Sequence, residues 1–280
     1  MYKILQRSRL SPVIHKMEIE APRVAKNAKP GQFVMIMVRD KGERIPLTIY
    51  DHNVKIGTIS IIFQETGKTT KSLACLNAGD VLENISGPLG RPTGVEKMGK
   101  IVMIGGGVGI AELVPIARHS KEMGNELVII IGARSKELLI LEDELNALTD
   151  RLFPVTDDGS CGEKGVVTAP LRRLLEKERF DLAYCVGPDI MMQHTSLVTK
   201  EFDLKTIVSL DANMVDATGM CGTCRVMVGG ETKFSCVDGP EFDGHKVDFK
   251  EFMERQKRFR REEKLSLENF EKPPCACKKR

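Results

Sequence analysis

The stretch "KIVMIGGGVGIAELVPIARHSKEMG" (residues 100–124) decides the fold class of this chain. An apolar run leads into a glycine-rich turn, and an amphipathic pattern then continues as far as Gly124. This order predicts a buried strand, a tight turn and a helix. Glycines in such a turn let a pyrophosphate approach the free N–H groups at the helix N-terminus. The residues that we expect to bind a dinucleotide there are Gly105, Gly106, Gly107, Val108 and Gly109.

Glu112 stands where a G-x-G-x-x-G motif would carry its last glycine. The alternative to a dinucleotide site is therefore a tight strand-to-helix turn that binds no ligand. Two later segments favour the site, because they follow strands whose carboxyl ends meet at the ligand-binding edge of an open parallel sheet. These segments are "YCVGPDIMM" (184–192) and "TDDGS" (156–160).

Apolar runs and amphipathic stretches alternate over residues 96–212, which predicts an α/β domain with a parallel sheet. One helix is expected over "KELLILEDELNALTD" (136–150), and others over "TAPLRRLLEKE" (168–178) and "PDIMMQHTSLVTKE" (188–201). The nucleotide-binding residues that we predict at the strand ends are Arg134, Asp157, Asp158, Gly187 and Pro188. Arg134 would suit a 2′-phosphate and the two aspartates would suit a bare ribose, so the sequence alone leaves NAD and NADP open.

The rest of the chain has a different pattern. Residues 1–95 carry short β-rich runs such as "GQFVMIMV", "RIPLTIY" and "TISIIFQ", which predict a small antiparallel barrel or sandwich. The Gly- and Pro-rich "GPLGRPTG" (87–94) is expected to be a linker. Residues 213–245 hold a cysteine segment, and residues 246–280 form a charged tail that can be helical. The predicted fold class is α/β plus β.

Composition excludes several classes of protein. The 280 residues are 41% hydrophobic and 29% charged, which is typical of a globular chain with about two domains. A net charge of +3, from 42 basic and 39 acidic residues, gives no reason to expect nucleic acid. The start "MYKILQRSRL" has no apolar core of a signal peptide, and the longest apolar runs are too short to span a membrane. We therefore expect a cytoplasmic protein.

Asp216, Cys221, Cys224 and Cys236 follow the spacing D-x4-C-x2-C-x11-C. Plant-type [2Fe–2S] sites begin with C-x4-C-x2-C, so the pattern predicts such a cluster with an aspartate at the first position. Zinc is the alternative metal, although Cys236 lacks the nearby second cysteine or histidine of a structural zinc site. A disulfide is not favoured in a reducing compartment. Cys275 and Cys277 lie in a tail that we expect to be disordered.

"GGGVGIA", "GAR" and "CVGPDIMM", in that order, resemble the nicotinamide half of the ferredoxin–NADP reductase superfamily. The resemblance implies a role for Cys185 near the transferred hydride; a small buried strand residue is the alternative. It also implies a FAD-binding barrel before the nucleotide domain, with Thr69 and Thr70 at the pyrophosphate. The remaining residues that it places at the flavin are Arg44, Pro46, Leu47, Thr48, Ile62, Phe63 and Gln64.

The cysteine segment with "CVDGPEF" (236–242) resembles the electron-transfer subunits of bacterial dihydroorotate dehydrogenase. The aspartate ligand, "GARSKELLILEDEL" and the charged tail resemble more closely the small subunits of electron-bifurcating NADH-dependent reduced ferredoxin:NADP oxidoreductases. Either resemblance implies FAD, a [2Fe–2S] cluster and NAD(H). The second implies a larger partner subunit that binds NADP and ferredoxin. A zinc-stabilised, nucleotide-binding regulatory protein is the alternative of another class.

Overall fold

The computed structural model describes residues 1–94 and 96–272. Its N-terminal strands are β1 (Tyr2–Arg9), β2 (Ile14–Glu20), β3 (Phe33–Met37), β4 (Arg44–Asn53), β5 (Thr58–Gln64), β6 (Val81–Leu82) and β7 (Asn84–Leu89). They form one sheet in the order β6-β1-β2-β5-β4-β3-β7, and all its pairs are antiparallel. Glu83 alone separates β6 from β7 at the two ends of this order, so the sheet curls into a nearly closed barrel. The predicted barrel is confirmed.

Alternation of side chains explains why these residues form the barrel. In β2, Met17 and Ile19 are fully buried, whereas the side chains on either side of them are polar and more exposed. An apolar face that repeats every second residue has to be covered, and curling the sheet lets the strands cover one another. Two short helices, α1 (Pro22–Ala25) and α2 (Lys68–Ala74), follow β2 and β5.

A parallel sheet follows. Its strands are β8 (Lys100–Gly106), β9 (Glu126–Ala133), β10 (Leu152–Thr156), β11 (Glu163–Lys164), β12 (Leu182–Val186) and β13 (Thr206–Ser209). They are arranged in the order β11-β10-β9-β8-β12-β13. The helices of this part are α3 (Gly109–Glu122), α4 (Glu142–Asn146), α5 (Thr168–Lys177) and α6 (Asp189–Glu201). The order of strands reverses between β8 and β12, and such a reversal opens a crevice at the carboxyl ends of the two strands.

Two local predictions are wrong. The helix expected over residues 136–150 is instead a short 3-10 turn (Lys136–Leu138), an extended stretch and then α4. The extended stretch lets Leu139 and Ile140 both bury their side chains, and Leu141 then turns the chain with a φ of 61°. The expected linker at residues 87–94 begins inside β7, where Leu89 pairs with Phe33 of β3.

The cysteine segment is attached to the edge of the parallel sheet. It contains the hairpin β14 (Arg225–Val228) and β15 (Glu231–Phe234), the short helix α7 (Ser235–Asp238) and strand β16 (Glu241–Asp243). β16 pairs antiparallel with β13 and so extends that sheet by one strand. Cys224 and Cys236 share one buried core with Val208 of β13 and with Phe33 of the barrel. The segment is therefore packed into the body of the protein.

Two helices end the described chain, α8 (Phe249–Gln256) and α9 (Arg260–Glu271). Helix α9 returns to the barrel, where Glu271 forms an ion pair with Lys71 of α2 and Ser266 donates a hydrogen bond of 3.5 Å to Glu43. This end of the tail thus lies against its own chain, although Leu265 remains 57% exposed. Cys275 and Cys277 lie outside the described residues. Among the described helices, none is long and apolar enough to cross a lipid bilayer.

Candidate functional site

The crevice between β8 and β12 is lined by two glycine turns that touch each other. A Cβ atom added at Gly109 would lie 2.9 Å from the carbonyl oxygen of Val186, and one added at Gly106 would lie 2.5 Å from the sulfur of Met191. Gly109 therefore has to be glycine because an added Cβ would meet backbone, whereas at Gly106 the flexible side chain of Met191 would have to move. The backbone of Gly107 has a φ of 57° and faces open space, since an added Cβ would meet no atom within 4 Å. This is a shape in which an elongated anionic ligand can lie on backbone N–H groups.

The predicted crevice residues are brought together by this geometry. Gly105 and Gly106 end β8, whereas Val108 and Gly109 begin α3, so the N-terminus of the helix lies at the crevice. Gly187, which follows β12, packs against Gly106: an added Cβ would lie 3.0 Å from its Cα. Pro188 stands at the start of α6 on the same edge.

Arg134, Asp157 and Asp158 meet farther along that edge, after β9 and β10. All three are exposed, and the N–H of Asp158 donates a hydrogen bond of 3.3 Å to the carbonyl oxygen of Arg134. The carboxylate of Asp158 accepts hydrogen bonds from the hydroxyl of Ser160 at 2.6 Å and from its N–H at 2.9 Å. These bonds lower the pKa of Asp158. The carboxylate of Asp158 is thus already hydrogen-bonded to Ser160, so Asp157 is the better placed of the two to bind a ribose.

Strand β4 of the barrel reaches the nucleotide turn. Thr48 Oγ1 donates a hydrogen bond of 3.1 Å to Glu112 Oε2, and Glu112 lies in the first turn of α3. Pro46 and Leu47 precede Thr48 on the same half-buried strand. The strand predicted to run beside a flavin and the turn predicted to bind a dinucleotide are therefore neighbours, as hydride transfer between two rings requires.

Not every predicted flavin residue points to such a site. Phe63 is 1% exposed inside the barrel core, and Ile62 is buried in the core below α3, so both side chains serve packing. Gln64 is half-buried at the end of β5, and Arg44 is exposed at the start of β4.

The predicted pyrophosphate site at α2 has an acidic neighbour. Thr69 Oγ1 donates a hydrogen bond of 2.6 Å to Glu43, and Lys68 Nζ lies 3.2 Å from the same carboxylate. Partial burial raises the pKa of Glu43, but these hydrogen bonds outweigh it and lower the pKa. The hydroxyl of Thr70 instead caps α2, where it accepts hydrogen bonds from the N–H groups of Thr66 and Gly67 at 3.0 Å. A diphosphate bound to Thr69 would have to displace Glu43.

The four predicted metal ligands lie in two pairs. The sulfurs of Cys224 and Cys236 are 3.2 Å apart in the core, which is too far for a disulfide. The carboxylate of Asp216 accepts hydrogen bonds from the N–H of Thr218 at 2.8 Å and of Cys221 at 3.1 Å. A two-iron cluster takes two protein ligands at each iron, so a pairwise donor set of this kind fits it.

Within residues 1–94 and 96–272, no three His, Cys, Asp or Glu side chains converge as they would on a single metal ion. The Asp216 carboxylate is turned towards the backbone of its own loop, and Cys221 is exposed at the surface. The single four-ligand centre of a structural zinc site is thus not preformed here. Ala217 has a φ of 58° and Gly219 a φ of 83°, so the loop between Asp216 and Cys221 is tightly turned.

The thiol of Cys185 lies in the core. The residue is 0% exposed in the middle of β12, and burial raises the pKa of its thiol to about 12. Every residue of β12 is buried. This environment favours the alternative of a small buried strand residue, and we assign no chemistry to Cys185.

Sequence reasoning missed a group of polar residues behind the crevice. Besides the hydrogen bond from Thr48, Glu112 accepts one from the hydroxyl of Ser209. Burial raises the pKa of Glu112 to about 7, the two hydrogen bonds oppose that rise, and the nearby Glu241 and Asp211 add to it. A polar residue that interrupts a glycine motif in the first turn of a nucleotide-binding helix was the one available signal.

Comparisons with known proteins agree with this geometry. Residues 103–197 match the family model of an oxidoreductase NAD-binding domain. Residues 211–248 match that of the iron–sulfur cluster binding domain of dihydroorotate dehydrogenase B. A chain from the structure of an NADH-dependent reduced ferredoxin-NADP oxidoreductase, solved to study flavin-based electron bifurcation, has a TM-score of 0.91 and 44% identity. The similarity covers 96% of this chain and 98% of that chain.

Two curated relatives cover almost the same length. A Thermotoga maritima homologue of the dihydroorotate dehydrogenase B (NAD(+)) electron transfer subunit is 45% identical over 96% of this chain and 95% of its own length. The electron transfer subunit of Desulforamulus reducens is 30% identical over 88% of this chain and 96% of its own length. The resemblance inferred from the motifs is thereby confirmed. The chain belongs to the family of dihydroorotate dehydrogenase B electron transfer subunits and their homologues, and it is an oxidoreductase subunit with NAD-binding and iron–sulfur-binding domains.

Proposed function

We propose that this chain is the electron-transfer subunit of an NADH-dependent ferredoxin:NADP oxidoreductase that bifurcates electrons. In this proposal it exchanges hydride with NAD(H) at a bound FAD, and it exchanges single electrons with a partner through a [2Fe–2S] cluster. A flavin supplies the link, because it can exchange electrons in pairs with a nicotinamide and singly with iron.

The chain's own residues divide this work among three places. Gly105–Gly109 and Gly187 would bind the nucleotide backbone, and Asp157 would bind its ribose. Pro46–Thr48 of β4 would lie along the flavin. Asp216, Cys221, Cys224 and Cys236 would hold the cluster, with the first pair near the surface and the second in the core.

One observation carries the proposal. The Cys224–Cys236 pair packs into the same buried core as β12 and β13, while Thr48 of the barrel touches Glu112 of the nucleotide turn. The predicted nicotinamide, flavin and cluster sites thus belong to one packed body, and electrons would not have to cross a flexible linker. A regulatory nucleotide-binding protein would have no need of such an arrangement.

The spectrum and the metal content of the purified chain test this proposal. We expect flavin bands, cluster absorption, and iron and sulfide in equal amounts. Flavin released by heat and separated by chromatography should be FAD. A colourless protein with stoichiometric zinc would contradict the proposal, and FMN alone would contradict the choice of flavin.

The partner follows from the chemistry of the sites. No pocket for an organic substrate is required by the reaction proposed, so electrons would pass to another protein. We propose a larger flavin- and iron–sulfur-containing subunit that binds NADP and ferredoxin; the 44% identity to a chain of an NADH-dependent reduced ferredoxin-NADP oxidoreductase supports this proposal. Co-purification from the source cells should yield that subunit. With both subunits present, NADPH oxidation should reduce ferredoxin and NAD⁺ together.

The second candidate is the electron-transfer subunit of a dihydroorotate dehydrogenase. It is favoured by the match of residues 211–248 to the cluster domain of that enzyme. Co-purification decides between the two. A partner that oxidises dihydroorotate at the expense of NAD⁺ would establish the second candidate and exclude the first.

A further inference from the structure

A row of polar side chains crosses the interior behind the crevice. It begins at Thr48 of the barrel and continues through Glu112 of α3 to the hydroxyl of Ser209 at the end of β13. Ser209 also interacts electrostatically with Tyr184, whose hydroxyl donates a hydrogen bond of 2.8 Å to Glu241. Glu241 accepts a further hydrogen bond from Thr93. The row therefore links the barrel, the parallel sheet and strand β16.

Glu112 is the member of this row that contacts the predicted flavin strand. One carboxylate oxygen accepts the hydrogen bond from Thr48 at 3.1 Å, and the other accepts the one from Ser209. Glu241 on β16 and Asp211 after β13 are the titratable groups whose charges raise the pKa of Glu112. The charge of Glu112 in turn raises the pKa of Tyr184 on β12. Burial beside two further carboxyl groups makes the protonated form accessible near neutral pH, where the pKa of Glu112 is raised to about 7.

This inference rests on the proposed function, in which a proton remains after the two electrons of a hydride have left one at a time. A hydride consists of two electrons and one proton. NADH transfers all three together, but an iron–sulfur cluster accepts electrons only. For each hydride that enters and leaves as two single electrons, one proton remains at the flavin and must be bound by another group.

We propose that Glu112 binds this proton, and that the hydroxyl of Thr48 relays it. Thr48 donates its own proton to Glu112 and receives one from the flavin side, so that its hydrogen count is unchanged. Glu112 passes from carboxylate to carboxylic acid in one direction of electron flow and back in the other. It acts through Thr48 and is therefore a positioning and proton-holding residue.

A purely structural role is the alternative, because Glu112 also joins the barrel to the sheet. The two roles differ in their dependence on pH. A structural carboxylate changes stability, whereas a proton acceptor also sets the rate at which electrons leave after NADH has been oxidised. The barrel offers a matched control: the hydroxyl of Thr58 donates a hydrogen bond of 2.8 Å to Glu18, away from the crevice.

The experiment uses the full chain with its own flavin and cluster. NADH reduces the protein first, and rapid mixing with ferricyanide, a one-electron acceptor, then follows reoxidation between about pH 5 and pH 9. We expect Glu112→Gln and Thr48→Val to slow reoxidation by about 100-fold and to remove its titration near neutral pH. Glu18→Gln should behave as the wild type does. Thr48→Ser, which keeps the hydroxyl, should keep the titration near neutral pH, and Glu112→Asp should keep a titration at a shifted pH.

Infrared difference spectra detect the protonation of Glu112 directly, independently of any reaction rate. Reduced minus oxidised wild-type protein should show the carbonyl stretch of a protonated carboxylic acid. That band should be absent in Glu112→Gln and displaced in Glu112→Asp. If Glu112→Gln binds no flavin, the comparison of wild type with Glu112→Asp decides, and an identical band in both would overturn the inference.

Failure of the inference can be told from failure of the proposed function. A wild-type chain without flavin or cluster would exclude the proposed function, and the inference with it. A wild-type chain that carries both, together with a Glu112→Gln variant whose reoxidation stays within twofold and keeps its titration, would exclude the role of Glu112 alone.

Discussion

The hydroxyl of Tyr50 in the barrel donates a hydrogen bond of 2.5 Å to Glu144 of α4. Arg118 of α3 forms an ion pair with the same carboxylate and lies 3.3 Å from the same hydroxyl. Tyr50 is 1% exposed, so burial and the adjacent carboxylate raise its pKa and keep the phenol neutral. A buried hydroxyl thus ties the barrel to two helices of the nucleotide part.

Tyr50→Phe should therefore destabilise the protein by about 1–2 kcal/mol, because the acceptor on Glu144 loses a buried donor. Denaturant unfolding of wild type and variant measures this change. Tyr2→Phe, a change of the same kind in a half-buried residue of β1, is the control and should lie within about 0.5 kcal/mol of the wild type. Equal losses of unfolding free energy in the two variants would show that the hydrogen bond to Glu144 does not contribute measurably to stability.

Asp216→Ala should lose the cluster or leave it labile, because it removes the proposed oxygen ligand beside Cys221. Iron content and the electron paramagnetic resonance spectrum of the reduced protein measure this. Asp216→Cys should keep a cluster with an altered potential. Asp243→Ala is the control, since Asp243 also accepts a hydrogen bond from the N–H two residues later, at 3.1 Å, but stands outside the predicted ligand set. An unchanged spectrum in Asp216→Ala would refute the assignment.

NADH should be preferred over NADPH in kcat/KM, because the exposed Asp157 lies where we propose that the ribose binds and would repel a 2′-phosphate. Asp157→Ala should reduce that preference by about 10-fold, which corresponds to about 1.4 kcal/mol. Steady-state reduction of an artificial acceptor by the isolated chain measures both values. Asp150→Ala, exposed before the opposite end of β10, should leave the preference unchanged. A clear preference of the wild type for NADPH would reverse the assignment, and Arg134→Ala should then abolish it.

Glu112 should make stability depend on pH. Its pKa rises from 4.5 to about 7 on folding, so the unfolded chain loses this proton first. The protonated Glu112 therefore stabilises the folded state relative to its ionised form. This contribution to the free energy of unfolding is complete below about pH 4.5 and is lost as the pH rises to about 7. Because Glu112 is half-buried, we expect a loss of about 2 kcal/mol that is absent in Glu112→Gln. Unfolding by urea at about pH 5 and pH 8 measures it, and parallel curves for both proteins would contradict it.

Glu241→Gln tests the electrostatic coupling between the half-buried carboxyl groups of Glu112 and Glu241. The charge of Glu241 raises the pKa of Glu112, so its removal should move the titration of Glu112 to lower pH without abolishing it. The rate of reoxidation by ferricyanide, measured as a function of pH in wild type and variant, detects this shift. A titration that stays in place would mean that the two carboxyl groups do not interact.

The features that could be predicted from the sequence are those that local chemistry imposes. The glycine turn at residues 105–109 needs Gly107 because its φ of 57° is a backbone conformation that residues with a side chain rarely adopt. The alternation in β2 and the ligand spacing from Asp216 to Cys236 are equally local. Each can be read without knowledge of distant parts of the chain.

Other features depended on tertiary packing. Leu139 and Ile140 belong to a helix-like pattern, yet they lie in an extended stretch and bury their side chains in the core beside the parallel sheet. All of β12 is buried, so alternation could not tell which way Cys185 points. Glu112 acquires its environment from β4, β13 and β16 together, which come from three separate regions of the sequence.

The return of α9 to the barrel has a consequence for the order of synthesis. The barrel precedes the parallel sheet in the chain and can begin to fold before the residues that follow it are made. Its residues Glu43 and Lys71, however, find Ser266 and Glu271 only about 200 residues later. The edge of the barrel where the flavin diphosphate is expected therefore gains these contacts only after α9 has been synthesised.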